Sequence, residues 1–267
     1  MSALREAARV HVESVGVGPP LVMLHGFAMH GGLFAPILPA FAARARVHVV
    51  DLPGHGWSAP VAPMDLASMA AAVDAAIDAA IPGGDPLTVL GWSLGGQVAM
   101  QWALARPSRI ARLVLVATTP SFVTRDGWPH AMAPATLARF GDELTVAWQL
   151  TLQRFLALQV RGSDEGRATL SMLRAHLFER GEPAADVLAA VLATLAGTDL
   201  RSALARIPIP ARVIGGERDA LVPLRATGHL ATALPRGTHV AIPGAAHVPF
   251  LSHPRAFLDA CADFADG

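Results

Sequence analysis

Short apolar runs that alternate with helical patterns are the feature that most limits how this chain can fold. The runs are four or five residues long, and most are closed by glycine, proline or aspartate. They lie at 21–24, 47–50, 87–90, 113–116, 211–214 and 238–242. Runs this short and apolar are typical of strands that a parallel sheet buries on both faces. Their alternation with helices predicts an α/β fold with a mostly parallel central sheet and helices on both faces.

Helical patterns lie between these runs and after the last of them. Residues 64–81 are rich in alanine and place apolar residues three and four positions apart. Residues 94–106 follow the third run and stop before Pro107, which cannot continue a helix. A further helix is predicted from about Pro254 to the end of the chain.

The alternation stops between residues 120 and 206. This segment has a helical pattern throughout, with breaks at glycines such as Gly141 and Gly162. An insertion between two strands stands over the carboxyl edge of the sheet, where open α/β folds bind ligands. We therefore predict a core of residues 1–119 and 207–267 with a helical lid of residues 120–206. A separate helical domain is the alternative, but the return of the strand pattern favours one catalytic unit.

Composition excludes several classes of protein. Hydrophobic residues make up 52% of the 267 residues, which suits one large core and not a disordered chain. The 21 Lys and Arg residues balance the 21 Asp and Glu residues, so charge does not predict nucleic acid or a membrane surface as a partner. Residues 1–12 contain no apolar run of signal-peptide length. We expect a soluble cytoplasmic monomer in which Cys261, the one cysteine, is a small buried hydrophobe.

Residues 91–95 read Gly-Trp-Ser-Leu-Gly and match the pattern G-x-S-x-G between a predicted strand and a predicted helix. In that setting the serine occupies a nucleophile elbow, a strained turn in which a Cβ at either flanking position would clash with backbone. The helix that follows directs partial positive charge towards a developing oxyanion. The alternative is an ordinary glycine-rich turn with an exposed serine, but the context favours Ser93 as a nucleophile.

A serine nucleophile needs a base and an orienting carboxylate. In enzymes whose serine lies on such an elbow, the three residues follow one another along the chain in the order Ser, acid, His. Asp219 lies after the predicted strand at 211–214 and is our candidate acid. Glu217 is the nearest alternative. Asp199 has no strand before it, and Asp51 precedes the serine, so we interpret Asp51 as a structural residue of its turn.

His247 is the candidate general base, because it lies just past the last predicted strand in Gly-Ala-Ala-His-Val-Pro-Phe at 244–250. Its order, loop and spacing suit a proton acceptor for the serine. His253 stands before the final helix and is interpreted as a surface or capping residue. His25 follows the first core strand, and we expect it to hold its loop.

The second donor to an oxyanion should come from the loop after the first core strand, which is occupied by residues 25–27. We predict an oxyanion hole formed by the backbone N–H groups of Phe27 and Leu94. With the three candidate side chains, these groups would carry out acyl transfer through an acyl-enzyme, without a metal or an organic cofactor.

With these residues in this order, the chain resembles the α/β-hydrolase superfamily. A narrower resemblance, over about residues 21–264, is to the BioH-type pimeloyl-[acyl-carrier protein] methyl ester esterases of biotin synthesis. It is carried by Arg-Asp-Gly-Trp-Pro at 125–129, Arg-Phe-Leu-Ala-Leu-Gln at 154–159, and Ala-Ala-His-Val-Pro-Phe-Leu-Ser-His-Pro at 245–254, with Gly-Trp-Ser-Leu-Gly-Gly at 91–96. The lid hexapeptide is the most specific, because lids diverge quickly between hydrolase families.

The resemblance implies a serine carboxylesterase that cleaves the methyl ester of a seven-carbon acyl chain on acyl-carrier protein, with methanol and pimeloyl-acyl-carrier protein as products. It implies a set of substrate-binding residues, namely Phe27, Ser93, Leu94, Phe155, Leu156, Ala157, Leu158, Gln159 and His247. The run at 155–158 could equally be the core of the lid. The family usually has Trp where this chain has Phe27, which leaves a smaller pocket wall.

An acidic carrier protein would be matched by arginines on the lid. Arg154, Arg161, Arg167 and Arg174 are seven, six and seven residues apart, which keeps residues near one face within each helix. The lid contains nine arginines and nine acidic residues, so any basic patch is local. Taken singly, each arginine is equally well explained as a solvated or salt-bridged surface residue.

Other functions would share this constellation. A general carboxylesterase, a lactonase, a carbon–carbon bond hydrolase or a haloperoxidase-like enzyme would keep the fold and the triad, since neither determines the substrate. A non-catalytic receptor for small molecules could also use the fold. Intact elbow glycines and a complete triad argue against the receptor, and covalent labelling of the serine by a fluorophosphonate would separate the two.

Overall fold

Seven strands form one sheet in the computed structural model, which describes residues 9–265. The strands are β1 (Val12–Val15), β2 (Pro20–Leu24), β3 (Arg46–Val50), β4 (Leu87–Trp92), β5 (Ile110–Val116), β6 (Ala211–Gly216) and β7 (Gly237–Ile242). Their order is β1-β3-β2-β4-β5-β6-β7, and every neighbouring pair is parallel except β1 with β3. The sheet is mostly parallel, as predicted. The outermost residues of the predicted core, 1–8 and 266–267, lie outside the described residues.

Nine α-helices accompany the sheet within residues 9–265. They are α1 (Leu38–Ala42), α2 (Leu66–Ala80), α3 (Leu94–Ala105), α4 (Pro134–Gln159), α5 (Gly166–His176), α6 (Ala185–Gly197), α7 (Leu224–Ala233), α8 (Pro249–Ser252) and α9 (Pro254–Ala265). The helix predicted at 64–81 begins two residues later, because the Asp65 carboxylate accepts a hydrogen bond from the Ser68 N–H (2.8 Å) and caps it. None of the described helices is both long and apolar enough to span a membrane.

Both faces of the central strands are buried. Successive side chains of a strand point to opposite faces of the sheet. In β4 both Val89 and Leu90 are buried, and in β5 both Val114 and Leu115 are buried. Helices therefore cover the two faces, with α2 packed against α3 and with α7 packed against β6 and β7.

The edge strand β1 is absent from the sequence-based prediction. It reads Val-Glu-Ser-Val, and its residues are exposed or half-buried because it pairs only with β3. The Ser14 hydroxyl lies 2.8 Å from Nδ1 of His48 on that neighbouring strand. An edge strand of this kind tolerates charged and polar side chains, so it carries no apolar run for a sequence pattern to detect.

Between β5 and β6 the chain forms α4, α5 and α6, and α4 packs against both of the other two helices. The long helix α4 continues through Gly141, where the sequence predicted a break, and breaks instead at Ala147, where φ is −148° and ψ is 57°. The Thr151 hydroxyl donates a hydrogen bond to the Ala147 carbonyl (3.0 Å), which satisfies an acceptor near the break. The function of residues 120–206 as a lid stays a proposal.

Arg180 ties this helical segment to the core. Its guanidinium donates to both carboxylate oxygens of Asp51 (3.2 Å each) and to Glu13 (2.6 Å), and it lies 4.4 Å from the ring centroid of Trp57. Asp51 also accepts hydrogen bonds from the backbone N–H groups of Gly31 and Trp57. These contacts are consistent with a structural role for Asp51, which holds the carboxyl end of β3 against the helical segment.

Cys261 is buried in α9, in agreement with the prediction that it acts as a small hydrophobe. Burial raises the pKa of its thiol to about 12, because the thiolate would lose its hydration. The thiol is therefore protonated near neutral pH and unsuited to nucleophilic chemistry.

Candidate active site

The proposed nucleophile, Ser93, lies in a strained turn between β4 and α3. Its φ of 54° and ψ of −116° belong to a region that non-glycine residues rarely occupy. Two hydrogen bonds hold the turn: the Ser93 N–H donates to the Val116 carbonyl (2.9 Å), and the Thr118 hydroxyl donates to the Ser93 carbonyl (2.7 Å). The strained turn is therefore held in place by β5 and by the residues that follow β5.

Glycine is required on both sides of this turn for a steric reason. A Cβ on Gly91 would lie 2.4 Å from the carbonyl oxygen of Gly95. A Cβ on Gly95 would lie 2.3 Å from the carbonyl oxygen of Leu24, at the end of β2. The first turn of α3 thus packs directly on the backbone of the neighbouring strand, and only glycine permits that approach.

We expect Gly95→Ala to destabilise the protein by about 1–3 kcal/mol, as overpacking of a tight site does. Ester hydrolysis should fall as well, because relief of the clash moves Ser93 and the start of α3. The matched control is Gly197→Ala at the end of α6, where an added Cβ meets no heavy atom within 4 Å. Urea unfolding and initial rates on a p-nitrophenyl ester measure both effects. Equal unfolding free energies for the two variants would contradict the steric argument.

Three side chains predicted to act together lie within hydrogen-bonding distance. The Ser93 Oγ is 3.0 Å from Nε2 of His247, and Nδ1 of His247 is 2.8 Å from Oδ2 of Asp219. The other carboxylate oxygen of Asp219 accepts hydrogen bonds from the N–H groups of Leu221 (2.8 Å) and Val222 (2.9 Å). An ionised Asp219 accepts the proton on Nδ1, which leaves Nε2 free to accept the serine proton.

These three residues are shielded from solvent, with exposed fractions of 6% for Ser93, 2% for His247 and 6% for Asp219. The Trp92 indole N–H donates to the His247 carbonyl (2.8 Å), and the His247 N–H donates to the Gln159 carbonyl (3.0 Å). The histidine loop is thus held from the core on one side and from α4 on the other. Low exposure strengthens the electrostatic interactions among the three side chains.

The alternatives weighed from the sequence have other partners. The Glu217 carboxylate is exposed and accepts a hydrogen bond from the Gly244 N–H (3.0 Å). A hydrogen bond from the Arg201 side chain lowers the pKa of Asp199, which pairs with that arginine at 2.8 Å. Nδ1 of His253 lies 2.8 Å from the hydroxyl of the preceding serine. None of these groups has a hydrogen bond to Ser93 or His247 among the described residues.

His25 joins the loops that follow β2 and β3. The Leu52 N–H donates to its Nε2 (2.8 Å), and its Nδ1 lies 2.8 Å from the Gly26 carbonyl, which accepts the Nδ1 proton. Burial lowers the pKa of His25 to about 3, so the imidazole is neutral near pH 7. With both ring nitrogens engaged, His25 holds its loop, as expected, and has no nitrogen free to serve as a base.

The loop after β2 contacts the serine turn. A Cβ on Gly26 would lie 3.2 Å from the Cβ of Ser93 and 3.0 Å from the ring of Trp92. Within residues 9–265, no acceptor takes a hydrogen bond from the N–H of Phe27 or of Leu94, the first residue of α3. These two N–H groups are therefore available to an oxyanion beside Ser93, as the predicted oxyanion hole requires.

A cavity of about 160 Å³ has Ser93 and His247 in its lining. Of the residues predicted to bind substrate, Phe27, Phe155 and Leu158 also line it. Apart from one ion pair and two threonines, the rest of the lining is apolar, which suits a hydrocarbon chain.

The hexapeptide at 154–159 divides between two environments. Phe155 and Leu158 line the cavity, whereas Leu156 and Gln159 are buried outside the lining and Ala157 is exposed. Consecutive residues of a helix point in directions about 100° apart, so only those spaced three or four apart can share the cavity. The contiguous set implied by the resemblance cannot all line one pocket, and Leu94 also lies outside the lining.

Much of the cavity wall comes from residues that the sequence analysis did not select. They are Phe122, Met132, Thr136, Leu137, Phe140, Glu143, Thr151, Leu192, Leu195 and Leu221. Within α4, the spacing of Thr136, Phe140 and Glu143 is the signal that could have found them, because it places them on one helical stripe. The same stripe is typical of residues that pack inside a helical lid. The sequence therefore did not show whether these residues line the cavity or pack inside such a lid.

Comparison with known proteins identifies the family. The model of the alpha/beta hydrolase fold family matches residues 19–254. The chain belongs to the α/β-hydrolases. This α/β-hydrolase also has close relatives: a pimeloyl-[acyl-carrier protein] methyl ester esterase of Chromobacterium violaceum is 43% identical over 252 residues, which are 94% of this chain and 96% of that one. An esterase of the same name from Nitrosomonas europaea is 41% identical over 256 residues, covering 96% and 99%. The chain is thus a member of this esterase family.

Solved structures give the same fold. An esterase from Exiguobacterium antarcticum matches this α/β-hydrolase with a TM-score of 0.87 at 21% identity, over 97% of this chain and 96% of that one. A bromoperoxidase from Bacillus anthracis reaches the same TM-score at 20% identity, with the same coverage. At such low identity the likeness shows the fold alone, and it confirms the predicted fold class.

Three phenyl rings meet over the cavity of this α/β-hydrolase. The centroid of Phe27 lies 6.2 Å from that of Phe140 and 5.7 Å from that of Phe155, and the last two are 5.4 Å apart. Phe27 belongs to the loop after β2, while the other two lie on either side of the break in α4. Phe27 therefore contacts both halves of that helix, in geometries that aromatic pairs favour.

The four arginines considered as carrier-protein contacts have different surroundings. Arg154 lines the cavity, with Nη1 3.6 Å from the Glu143 carboxylate. Arg161, Arg167 and Arg174 are exposed and have no ion pair with any residue in 9–265. The latter three are free to bind an external anionic group.

Proposed function

We propose that this esterase hydrolyses the methyl ester of pimeloyl-acyl-carrier protein to methanol and pimeloyl-acyl-carrier protein. The observation that carries the proposal is the 3.0 Å separation of the Ser93 Oγ from Nε2 of His247 inside a mainly apolar cavity. The names of the relatives support the choice of ester and carrier. Acyl-carrier proteins are intracellular, so the proposal locates the reaction in the cytoplasm.

In the first half of the reaction, His247 accepts the Ser93 proton as the serine oxygen attacks the ester carbonyl. The N–H groups of Phe27 and Leu94 donate to the oxyanion of the tetrahedral intermediate. Collapse of the intermediate breaks the bond to the methoxy group, which leaves as methanol with the proton from His247. The acyl chain is then an ester of Ser93.

In the second half, His247 accepts a proton from water as the water oxygen attacks the acyl-enzyme. Collapse of the second intermediate returns that proton to Ser93 and releases the new carboxylic acid, which then loses its remaining proton to solvent. Asp219 stays ionised throughout and stabilises the imidazolium that forms twice in each cycle. The N–H groups of Leu221 and Val222 donate to Oδ1 of Asp219 and keep that oxygen directed away from the histidine.

Arg161, Arg167 and Arg174 are proposed as the contacts for the acidic carrier protein. They lie on α5 and on the loop that precedes it, close in sequence to α4, which forms part of the cavity wall. Arginines without an ion pair on this stretch would attract the acidic carrier and favour its approach in one orientation. Because these side chains are exposed, the attraction should weaken as the salt concentration rises.

Reversing these charges tests the carrier. We expect the triple variant Arg161→Glu, Arg167→Glu, Arg174→Glu to lower kcat/KM for the carrier-bound methyl ester by about tenfold or more, mainly through KM, since exposed pairs contribute modestly one by one. Hydrolysis of a free p-nitrophenyl ester should be unchanged. Arg236→Glu is the control, because Arg236 is exposed and lies just before β7, at the amino end of the parallel strands.

Rates that are equal for carrier-bound and free methyl esters would instead favour a general carboxylesterase. A second arm of the test is genetic. The gene should restore growth without biotin to a strain that lacks its own esterase of this pathway. Failure to do so despite normal amounts of folded protein would count against the proposed substrate.

A further inference from the structure

One ion pair interrupts the apolar wall of the catalytic cavity. Within residues 9–265, Glu143 and Arg154 are the only acidic and basic side chains in the lining besides His247. Their side chains are 42% and 64% exposed, whereas Ser93 and His247 are almost fully buried. The cavity therefore has a closed catalytic end and a solvent end that carries one negative and one positive charge.

The two charges come from opposite sides of the break in α4. Glu143 lies before Ala147 and Arg154 after it, and the carboxylate is 3.6 Å from Nη1 of the guanidinium. The break turns two stretches of one helix towards the same cavity. Sequence spacing alone would not pair these residues, since they are eleven positions apart.

An unpaired guanidinium at this place would attract free carboxylates, because it binds them with two parallel hydrogen bonds. The Glu143 carboxylate lies 3.6 Å from one nitrogen of that guanidinium and adds a negative charge beside it. A substrate held at Ser93 by its ester carbonyl directs the remainder of its chain towards the solvent end. A free carboxylate on the far end of that chain would then approach Glu143 and find Arg154 already paired.

We propose that Glu143 is a specificity-determining residue that selects against acyl chains with a free carboxylate at the far end. The inference rests on the proposed function, from which it takes the position of the ester at Ser93. It implies that half-esters of dicarboxylic acids are poor substrates until their free end is masked, as it is when a carrier protein is attached. The family resemblance assigns no role to this residue, and Glu143 does not touch the reacting atoms.

The test compares two substrates that differ in one charge, monomethyl pimelate and dimethyl pimelate. For Glu143→Gln, we expect the ratio of kcat/KM for the anionic ester to kcat/KM for the neutral ester to rise about twofold to fivefold, the range expected of a partly exposed charge. Arg154→Gln should lower the ratio, and high salt should reduce both effects. Asp142→Asn is the matched control, because it removes the same charge from an exposed neighbour outside the cavity lining.

The outcomes separate the inference from the proposed function. If wild type hydrolyses both esters and Glu143→Gln leaves their ratio unchanged, or changes it no more than Asp142→Asn does, the specificity role is wrong and the esterase assignment stands. If wild type hydrolyses neither ester nor the carrier-bound one, the proposed function fails and the inference fails with it. A Glu143→Gln variant that favours the anionic ester while keeping wild-type thermal stability supports the inference.

Discussion

Ser93→Ala is expected to lower kcat for ester hydrolysis by about 10⁴- to 10⁶-fold, as loss of the nucleophile does in enzymes of this type. The reason is local, because the Ser93 Oγ is the only oxygen that faces Nε2 of His247 among the described hydrogen bonds. The fold should survive, since the backbone bonds that hold the turn do not use the hydroxyl. Initial rates on a p-nitrophenyl ester and thermal unfolding measure the two effects.

Labelling gives this prediction a second readout. A fluorophosphonate should modify wild type once, at Ser93, and should not modify Ser93→Ala. Ser252→Ala is a matched control, because Ser252 is also buried and lies near His247 in sequence, but its hydroxyl donates to the Val248 carbonyl. Near-normal turnover in Ser93→Ala would refute the assignment of the nucleophile. Absence of labelling in folded wild type would favour a non-catalytic receptor.

Asp219→Asn is expected to lower kcat by about 10⁴-fold, the effect of presenting the histidine in the wrong tautomer. The N–H groups of Leu221 and Val222 both donate to Oδ1 of Asp219, so the amide oxygen of an asparagine should take that side. Its NH₂ group would then donate to Nδ1 of His247. With Nδ1 as the acceptor, the ring proton moves to Nε2, which can no longer accept a proton from Ser93.

Glu217→Gln is the matched control for this substitution, because Glu217 is the alternative acid two residues away. Its exposed carboxylate accepts only the Gly244 N–H among described partners, and a glutamine oxygen can do the same. We expect its kcat to stay within about threefold of wild type, as for most surface substitutions. NMR of the histidine ring would report the tautomer directly. An equal loss in both variants, or an Nδ1 proton retained in Asp219→Asn, would contradict the argument.

The sequence was sufficient for most of the strands and for the turn at the serine, because both depend on local pattern. Buried parallel strands need apolar runs, so all strands but one were predicted, and β1 was missed because an exposed edge strand needs none. The turn at Ser93 was predictable because its steric crowding requires glycine at fixed positions. The candidate acid and base followed from chain order after two identified strands, and the structure brings them within hydrogen-bonding distance of one another.

Only the tertiary structure decided which residues of the helical segment 120–206 face the catalytic cavity. A helix carries side chains all around its axis, and its sequence does not say which stripe will cover a site formed by distant strands. Thus Phe140 and Glu143 entered the cavity wall unpredicted, while Leu156, Ala157 and Gln159 were predicted for it and lie elsewhere. The pairing of charges across the break in α4 likewise depends on how two stretches of chain cross in space, which is a property of long-range packing and not of residue order.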